Sequence, residues 1–69
     1  MHGRDLSMAR TAQFEIYKDT AGQFRWRLRA ANGELIASSE AYTTMDSCKN
    51  GIRSVKRSAP KAIVQNLTK

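Results

Sequence analysis

The chain has 69 residues, enough for one small hydrophobic core and too few for a second domain. Twelve Lys and Arg against six Asp and Glu give a formal net charge of +6, which favours anionic partners such as nucleic acid, phosphorylated metabolites or an acidic protein. The single cysteine excludes a disulfide framework, and there is no Cys/His cluster for zinc. Because core burial and chain entropy nearly cancel at this size, association with a second copy is the ordinary remaining route to stability.

The apolar residues are not arranged to enter a membrane. No apolar run approaches the roughly 18 residues that span a bilayer, and residues 1–6 lack the apolar stretch of a signal peptide. We therefore expect a cytoplasmic protein with no membrane partner. Residues 1–11 have no periodicity and are predicted to be a disordered extension in which Met8 is a possible natural start, followed by one domain over residues 12–69.

Ordered structure is predicted to begin with two strands. Residues 13–18 are rich in β-formers and end at the turn composition of residues 19–22. Residues 23–30 then alternate apolar residues with arginine, which in a strand places Phe24, Trp26 and Leu28 on one face. The opposite face carries Arg25, Arg27 and Arg29.

A third strand is predicted over residues 34–38, after an Asn32-Gly33 dipeptide typical of two-residue type I′ hairpins. That turn would pair Ala30 with Leu35 and Leu28 with Ala37, and would put Ile36 beside Arg29. In the first hairpin, packing Phe14 and Ile16 with Trp26 places Glu15 and Tyr17 on the arginine face. Charge pairing and cation–π contacts are therefore expected there.

A helix is predicted to begin near Thr43 or Thr44, where Thr43-Thr44-Met45-Asp46 resembles a capping box, and to end before Pro60. Its apolar residues fall in one stripe, expected to pack on the sheet: Met45, Cys48, Ile52, Val55 and Ala59. Basic residues gather toward the helix end, as the helix dipole favours. Gly51 indicates either close approach to a strand or an interrupted helix.

Residues 62–67 form a further apolar run that is predicted to be a last short strand. The fold class is therefore α+β, a β-β-β-α-β unit whose antiparallel sheet carries one helix on one face. A single chain would leave sheet edges exposed, so exchange of the last strand with a second copy is physically favourable.

Specific segments of the chain resemble a known family. They are residues 14–19, 22–28 and 31–36, the Ser39-Glu40-Ala41-Tyr42 element, and the Asn-Gly-Ile-Arg-Ser-Val-Lys segment of residues 50–56. In this order they are similar to the YegP-like domain, an uncharacterised bacterial family. The resemblance spans about residues 13–67. It implies a β3-α-β unit that occurs either as tandem repeats in one chain or as two subunits that share one sheet and swap their last strands. Because this chain holds one unit, the resemblance implies a homodimer, and it implies no activity or site residue.

No group of side chains forms a recognisable catalytic motif. The ionisable candidates are Glu15, Glu34, Glu40, Asp46, Cys48 and Tyr42. Cys48 lies on the apolar helix stripe, where a buried inert thiol is expected. Glu40 is predicted to face Arg25 across the second hairpin, which favours an ion pair over a general base. We therefore predict that the chain is not an enzyme and binds no cofactor or metal.

The arginine stripe is the best candidate site in the sequence. Along a strand, Arg25, Arg27 and Arg29 are about 6.6 Å apart, close to the spacing of successive backbone phosphates. With Tyr17 as a stacking surface, they suggest a weak, sequence-independent contact with nucleic acid or another polyanion. The competing interpretation, which we prefer, is that Glu15, Glu40 and Tyr17 occupy the arginines. Trp26 is expected in the core rather than stacked on a base.

Three classes of function remain open: a polyanion-binding module, a structural or interaction module that acts through homodimerisation, and an enzyme. The homodimeric interaction module is the preferred hypothesis, with polyanion binding through the arginine face as the alternative. Steep salt dependence of binding would indicate the polyanion module, whereas a salt-tolerant dimer without affinity for oligonucleotides would indicate the interaction module.

Overall fold

The structure is a computed structural model that describes residues 11–68. Its elements, in chain order, are β1 (Gln13–Lys18), β2 (Phe24–Arg29), β3 (Leu35–Ser38), helix α1 (Met45–Ser58) and a 3₁₀ helix (Ala59–Lys61). The three strands form one antiparallel sheet in the order β1-β2-β3. The predictions of a disordered extension and of a start at Met8 concern residues that lie almost entirely outside the described range.

The first hairpin has an unbroken register of six pairs, from Gln13 opposite Arg29 to Lys18 opposite Phe24. Two backbone hydrogen bonds close its turn. The N–H of Asp19 donates to the carbonyl of Gln23 at 2.8 Å, and the N–H of Gly22 donates to the carbonyl of Asp19 at 2.9 Å. Gly22 has φ of 82°, a left-handed conformation that glycine adopts without strain. The connection is therefore a three-residue loop with a glycine bulge.

The second hairpin uses the same kind of loop, and here the prediction of a two-residue type I′ turn is wrong. The N–H of Ala30 bonds to the carbonyl of Glu34 at 2.8 Å, and Gly33 occupies the left-handed position with φ of 91°. Leu28 lies opposite Ala37 as predicted. Leu35, however, pairs with Arg29 rather than with Ala30, because the register shifts between Leu28 and Arg29 and Ile36 becomes an extra residue.

After β3 the chain continues beside β2 and makes a second irregularity. Phe24 and Tyr42 form an isolated antiparallel bridge with hydrogen bonds of 2.8 and 2.7 Å. The preceding pair is Ser38 with Arg27. The three residues 39–41 between these two pairs therefore lie opposite only two residues of β2, at positions 25 and 26. The Ser39 hydroxyl accepts the N–H of Trp26 at 2.9 Å, so a side chain replaces the carbonyl partner that a regular strand would supply.

Helix α1 begins where the sequence predicts, but its capping partner differs. Thr44 is the N-cap, and its Oγ1 accepts the N–H of Ser47 at 3.1 Å and donates to the Ser47 hydroxyl at 3.0 Å. The expected capping box with Asp46 is wrong, because the third helical residue is Ser47 when Thr44 is the cap. Asp46 lies in the first turn, where its charge complements the helix dipole.

The core lies between α1 and the apolar face of β2. Trp26 is 6% exposed and Cys48 is fully buried. The Phe14 ring meets the Trp26 ring edge to face at 5.3 Å between centroids. The predicted helix stripe is confirmed at its centre but not at its ends, since Met45 is 38% exposed. The core position predicted for Trp26 is confirmed.

Gly51 lies inside an uninterrupted helix, so of the two readings of this glycine the close approach is confirmed. A Cβ atom built on Gly51 would overlap the Tyr42 hydroxyl, 2.9 Å from Cζ of Tyr42 and 3.1 Å from Nε1 of Trp26. The absent side chain lets α1 lie directly against these two rings.

Residues 62–68 form no strand within the single chain, which has three strands and a helix in place of the predicted β-β-β-α-β order. The prediction that this last strand pairs with a second copy stays a prediction. Ala62 has extended backbone angles of −72° and 136°. Ile63, Val64 and Leu67 are 87%, 98% and 80% exposed. Neither helix in residues 11–68 has the length and apolarity that crossing a membrane requires.

Candidate functional site

The face of the sheet opposite α1 brings together all four residues of the predicted site. We call this surface the arginine face; it consists of Arg25, Arg27, Arg29, Glu15, Tyr17 and Asp19. Strand periodicity positions them, because alternate residues of β1 and β2 project to the same side of the sheet. The register places Glu15 opposite Arg27 and Tyr17 opposite Arg25. The sequence prediction that Glu15 and Tyr17 share a face with the arginines is confirmed.

Glu15 is the central anion of the arginine face. Its Oε1 accepts the Nε–H of Arg27 at 2.7 Å and the Nε–H of Arg29 at 3.1 Å, while Oε2 accepts from the Gln13 amide at 3.1 Å. Arg29 also donates through Nη1 to the carbonyl of Gly33 at 3.0 Å. One carboxylate therefore bridges two guanidinium groups and fixes both along β2.

Arg25 is paired with Asp19, and the prediction of a pair with Glu40 is wrong. The Nε–H of Arg25 donates to Oδ2 of Asp19 at 2.8 Å. The other oxygen, Oδ1, accepts the N–H groups of Ala21 and Gln23 at 2.9 Å each. The irregularity after Ser38 removes Glu40 from the position opposite Arg25. Sequence reasoning treated Asp19 only as a turn residue, although period two from Glu15 and Tyr17 places it on the arginine face.

Tyr17 completes the arginine face by stacking under Arg27. The guanidinium carbon of Arg27 lies 4.7 Å from the centroid of the Tyr17 ring. This is the cation–π contact that the sequence predicts. The arrangement uses one face of the phenol ring, so a nucleic-acid base stacked on that face would have to displace Arg27.

The ion pairs perturb the ionisation of the arginine face in a consistent direction. The pKa of Glu15 is lowered from 4.5, first by the hydrogen bond from Arg27 and then by that from Arg29. The pKa of Asp19 is lowered from 3.8, mainly by the hydrogen bond from Arg25. The same contact raises the pKa of Arg25. Three cations face two ionised carboxylates, so the surface carries about one net positive charge rather than three.

The arginine face is nevertheless open to solvent. The side chains of Arg25, Arg27 and Arg29 are 38%, 38% and 34% exposed. A shallow cavity of about 260 Å³ adjoins Arg29 and is lined otherwise by Thr11, Gln13 and the turn at residues 30–33. Apart from Arg29 and Gln13, this cavity shares no residue with the ion-paired cluster.

The ionisable residues considered for catalysis do not converge. Cys48 is buried, and burial raises the pKa of its thiol, which lowers the thiolate fraction. Glu34, Glu40 and Asp46 are exposed and lie in different parts of the fold. Within residues 11–68 no three His, Cys, Asp or Glu side chains come together in a way that could hold a metal ion.

This geometry defines the class of protein as a small α+β unit in which one helix packs on a three-stranded antiparallel sheet. A family model described as a domain of unknown function, DUF1508, matches residues 19–65. The chain belongs to this family. The YegP-like resemblance seen in the sequence is confirmed, with relatives in both bacteria and archaea, so a purely bacterial distribution is too narrow.

Two curated relatives, both described as UPF0339 proteins, illustrate the similarity. One from Treponema denticola is 54% identical over 52 residues, covering 75% of this chain and 90% of the relative. One from Methanosarcina acetivorans is 49% identical over 51 residues, covering 74% and 88%.

Solved structures agree with the fold. A solution NMR structure from Haloferax volcanii superposes with a TM-score of 0.74 at 44% identity, covering 81% of this chain and 95% of that one. A solution NMR structure from Agrobacterium tumefaciens gives a TM-score of 0.69 at 43% identity, covering 81% and 90%. The α+β fold of three antiparallel strands and one helix is therefore shared with these proteins.

Proposed function

We propose that this chain acts as a homodimeric interaction module in which residues 62–67 of each copy add a strand to the sheet of the other. The observation that carries the proposal is the state of this segment. It begins in extended conformation at Ala62, and Ile63, Val64 and Leu67 are at least 80% exposed. These three large aliphatic side chains lie within a segment of six residues. Covering them with a partner would remove apolar surface from water and so stabilise the complex.

The small size of the core supports the same proposal. Within residues 11–68, only Trp26 and Cys48 have more than nine-tenths of their surface buried. A core of this size provides little stability against the conformational entropy of the chain. Burial of the aliphatic residues of both tails in a dimer would supply additional hydrophobic free energy.

The outer edge of β1 is the better acceptor for the added strand. Its pairing with β2 is regular over six residue pairs, whereas β3 is four residues long and its side of the sheet is interrupted by register shifts. Irregular and short edges resist strand addition, and regular edges accept it. The N–H of Asp19 points inward, to the carbonyl of Gln23 just before β2. The alternation of an antiparallel ladder therefore directs the N–H groups of Phe14, Ile16 and Lys18 outward.

The test is the solution mass at micromolar concentration, measured by light scattering after gel filtration. The wild type should have about twice the 7.7 kDa mass of one chain. Ile63→Asp/Leu67→Asp should be a monomer, because two charges would enter the covered surface. Asn66→Asp/Thr68→Asp adds the same charges to the same tail, on the strand face opposite Ile63 and Leu67, and should remain a dimer. A monomeric wild type would refute the proposal.

Amide hydrogen exchange by NMR then identifies the edge. The outward amides of Phe14, Ile16 and Lys18 should be protected in the dimer and exchange rapidly in Ile63→Asp/Leu67→Asp, while the inward amides of Glu15 and Tyr17 stay protected in both. Protection that changes along β3 instead would place the added strand at the other edge.

Polyanion binding through the arginine face stays a prediction, and one observation favours it: about a third of each arginine side chain is exposed. The ion pairs argue against this function, because a phosphate must compete for guanidinium groups that the carboxylates of Glu15 and Asp19 already bind. Its test is the anisotropy of labelled oligonucleotides with wild type and Arg25→Gln/Arg27→Gln/Arg29→Gln at low and physiological salt. Salt-sensitive binding that the variant loses would support this function.

A further inference from the structure

A second cationic surface lies on helix α1. Five basic residues occur between position 49 and the end of the 3₁₀ helix, against one acidic residue in α1, Asp46. They are Lys49, Arg53, Lys56, Arg57 and Lys61. Within residues 11–68 none of the five forms an ion pair. The polar contact of Arg53 is a neutral one, from Nη2 to the side-chain oxygen of Asn50.

The two cationic surfaces therefore differ in available charge. The three arginines of the sheet are neutralised to about one net charge by Glu15 and Asp19. The helix cations are exposed and, within residues 11–68, no ion pair with a carboxylate offsets them. An anion that approaches the helix displaces only water and counterions, whereas one that approaches the sheet must also break ion pairs.

Four of the helix cations lie on one side of the helix. At 100° per residue, Lys49, Arg53, Lys56 and Arg57 fall within an arc of about 100° on one flank of α1. This cationic flank, made of those four residues, borders the apolar stripe. Lys49, Arg53 and Arg57 follow one another at intervals of four residues, a rise of about 6 Å each. Cations in a line on a convex surface match an extended chain of negative charges better than a single small anion.

The helix dipole explains only part of this row. Lys56 and Arg57 lie in the last turn, where positive charge is favourable. Lys49 and Arg53 lie earlier. Lys49 follows Asp46 by three residues, a favourable spacing, whereas Arg53 has a like charge four residues away on each side, at Lys49 and Arg57. Such neighbours destabilise a helix, so structural stability does not account for Arg53.

We propose that the cationic flank is a site for the phosphate backbone of duplex nucleic acid, bound without sequence preference. The proposal is independent of the homodimer, and it assigns polyanion binding to the helix rather than to the arginine face. Lysine and arginine side chains that reach phosphates along one helix side are sufficient for this kind of contact. Each phosphate neutralised contributes about −0.9 to the slope of log affinity against log salt, so four contacts predict a slope of about −4.

The experiment is fluorescence anisotropy of a short labelled DNA duplex with two variants of nearly equal charge loss. Lys49→Gln/Arg53→Gln/Lys56→Gln/Arg57→Gln should weaken binding on the order of a hundredfold at low salt and flatten the salt slope. Glutamine keeps the helix propensity, and circular dichroism with solution mass checks that fold and oligomeric state are unchanged. Arg25→Gln/Arg27→Gln/Arg29→Gln should retain most of the affinity and slope.

A matched pair of single substitutions separates local effects from net charge. Asp46→Asn and Glu15→Gln each remove one negative charge, the first beside the cationic flank and the second from the arginine face. Asp46→Asn should tighten binding several-fold, and Glu15→Gln should have a smaller effect. A larger effect of Glu15→Gln, equal losses in the two multiple variants, or no binding of the wild type at low salt would overturn the proposal.

Discussion

The Tyr42 hydroxyl lies so close to Gly51 that a Cβ atom on this residue would overlap it, so the backbone of α1 packs directly against the Tyr42 ring. Tyr42 is held there by its two backbone hydrogen bonds to Phe24, of 2.7 and 2.8 Å. The glycine thus sets the distance between the helix and the segment that follows β3. Any side chain at this position must move either the ring or the helix.

Gly51→Ala should destabilise the protein although alanine is the better helix former. Overpacking costs about 1–3 kcal/mol and the gain in helix propensity is about 1 kcal/mol, so a net loss of about 1 kcal/mol, and at most about 2 kcal/mol, is expected. Urea denaturation measures it. Ser54→Ala, an exposed position of the same helix, should instead stabilise slightly. The alanine at residue 51 should cost less in a Tyr42→Phe background, and a Gly51→Ala protein more stable than wild type would contradict the packing argument.

Thr44→Ala should lower the free energy of unfolding by about 1 kcal/mol, because the N–H of Ser47 loses the side-chain oxygen that caps the helix. Thr43→Ala is the matched control, since Thr43 is an exposed threonine one residue earlier. It should change stability by about 0.5 kcal/mol or less. Thermal or urea unfolding compares the two, and an equal effect at both positions would argue against Thr44 as the cap.

Cys48 should react with thiol reagents only when the protein opens. The side chain is fully buried, and burial raises the pKa of the thiol. Labelling should be at least on the order of a hundredfold slower than that of a cysteine placed at exposed residue 54 in a Cys48→Ala chain. The rate should rise with urea in parallel with unfolding. Rapid labelling under native conditions would show that the thiol is reachable in the folded state.

Stability should fall in acid because folding lowers the pKa values of Glu15 and Asp19 from 4.5 and 3.8. The stabilisation that their ion pairs provide is complete above these ordinary values. It is lost as the pH falls below them and through the lowered pKa values of the folded state, where the carboxylates take up protons. Thermal unfolding followed by circular dichroism across this range measures the effect.

Glu15→Gln is the control for the acid prediction. It removes the carboxylate that bridges Arg27 and Arg29, so its thermal midpoint should depend less on pH below 4.5 than that of the wild type. Its midpoint should also be lower at neutral pH. Identical pH profiles for the two proteins would mean that the bridge contributes nothing to stability.

Much of the architecture could be predicted from local patterns. The alternation of arginine with Phe24, Trp26 and Leu28 fixes which side of β2 is buried, because side chains in a strand point to opposite faces in turn. The same rule placed Glu15 and Tyr17 beside the arginines. The helix limits followed from a threonine cap and from Pro60, since both act on the backbone within a few residues.

The details that sequence patterns did not predict depend on how many residues belong to each loop and how many to each strand. Asn32-Gly33 suits a two-residue turn, and it equally suits a three-residue loop in which Gly33 alone is left-handed. The three-residue loop that forms places Leu35 opposite Arg29. The extra residue after Ser38 removed Glu40 from Arg25, and Asp19 took that place. A shift of one residue changes each pairing until a bulge restores the register, as Ile36 does before Ala37, so local propensity alone does not decide the partners.

The sequence by itself determined the two faces of the sheet, the order of the elements and the position of the helix, because each depends on periodicity or on a cap a few residues away. Only the tertiary structure decided that Asp19 neutralises Arg25, that Gly51 makes room for Tyr42, and that the helix cations form no ion pair with another residue of the described range 11–68. These facts depend on residues distant in the chain, whose meeting is set by strand register and helix packing rather than by local propensity.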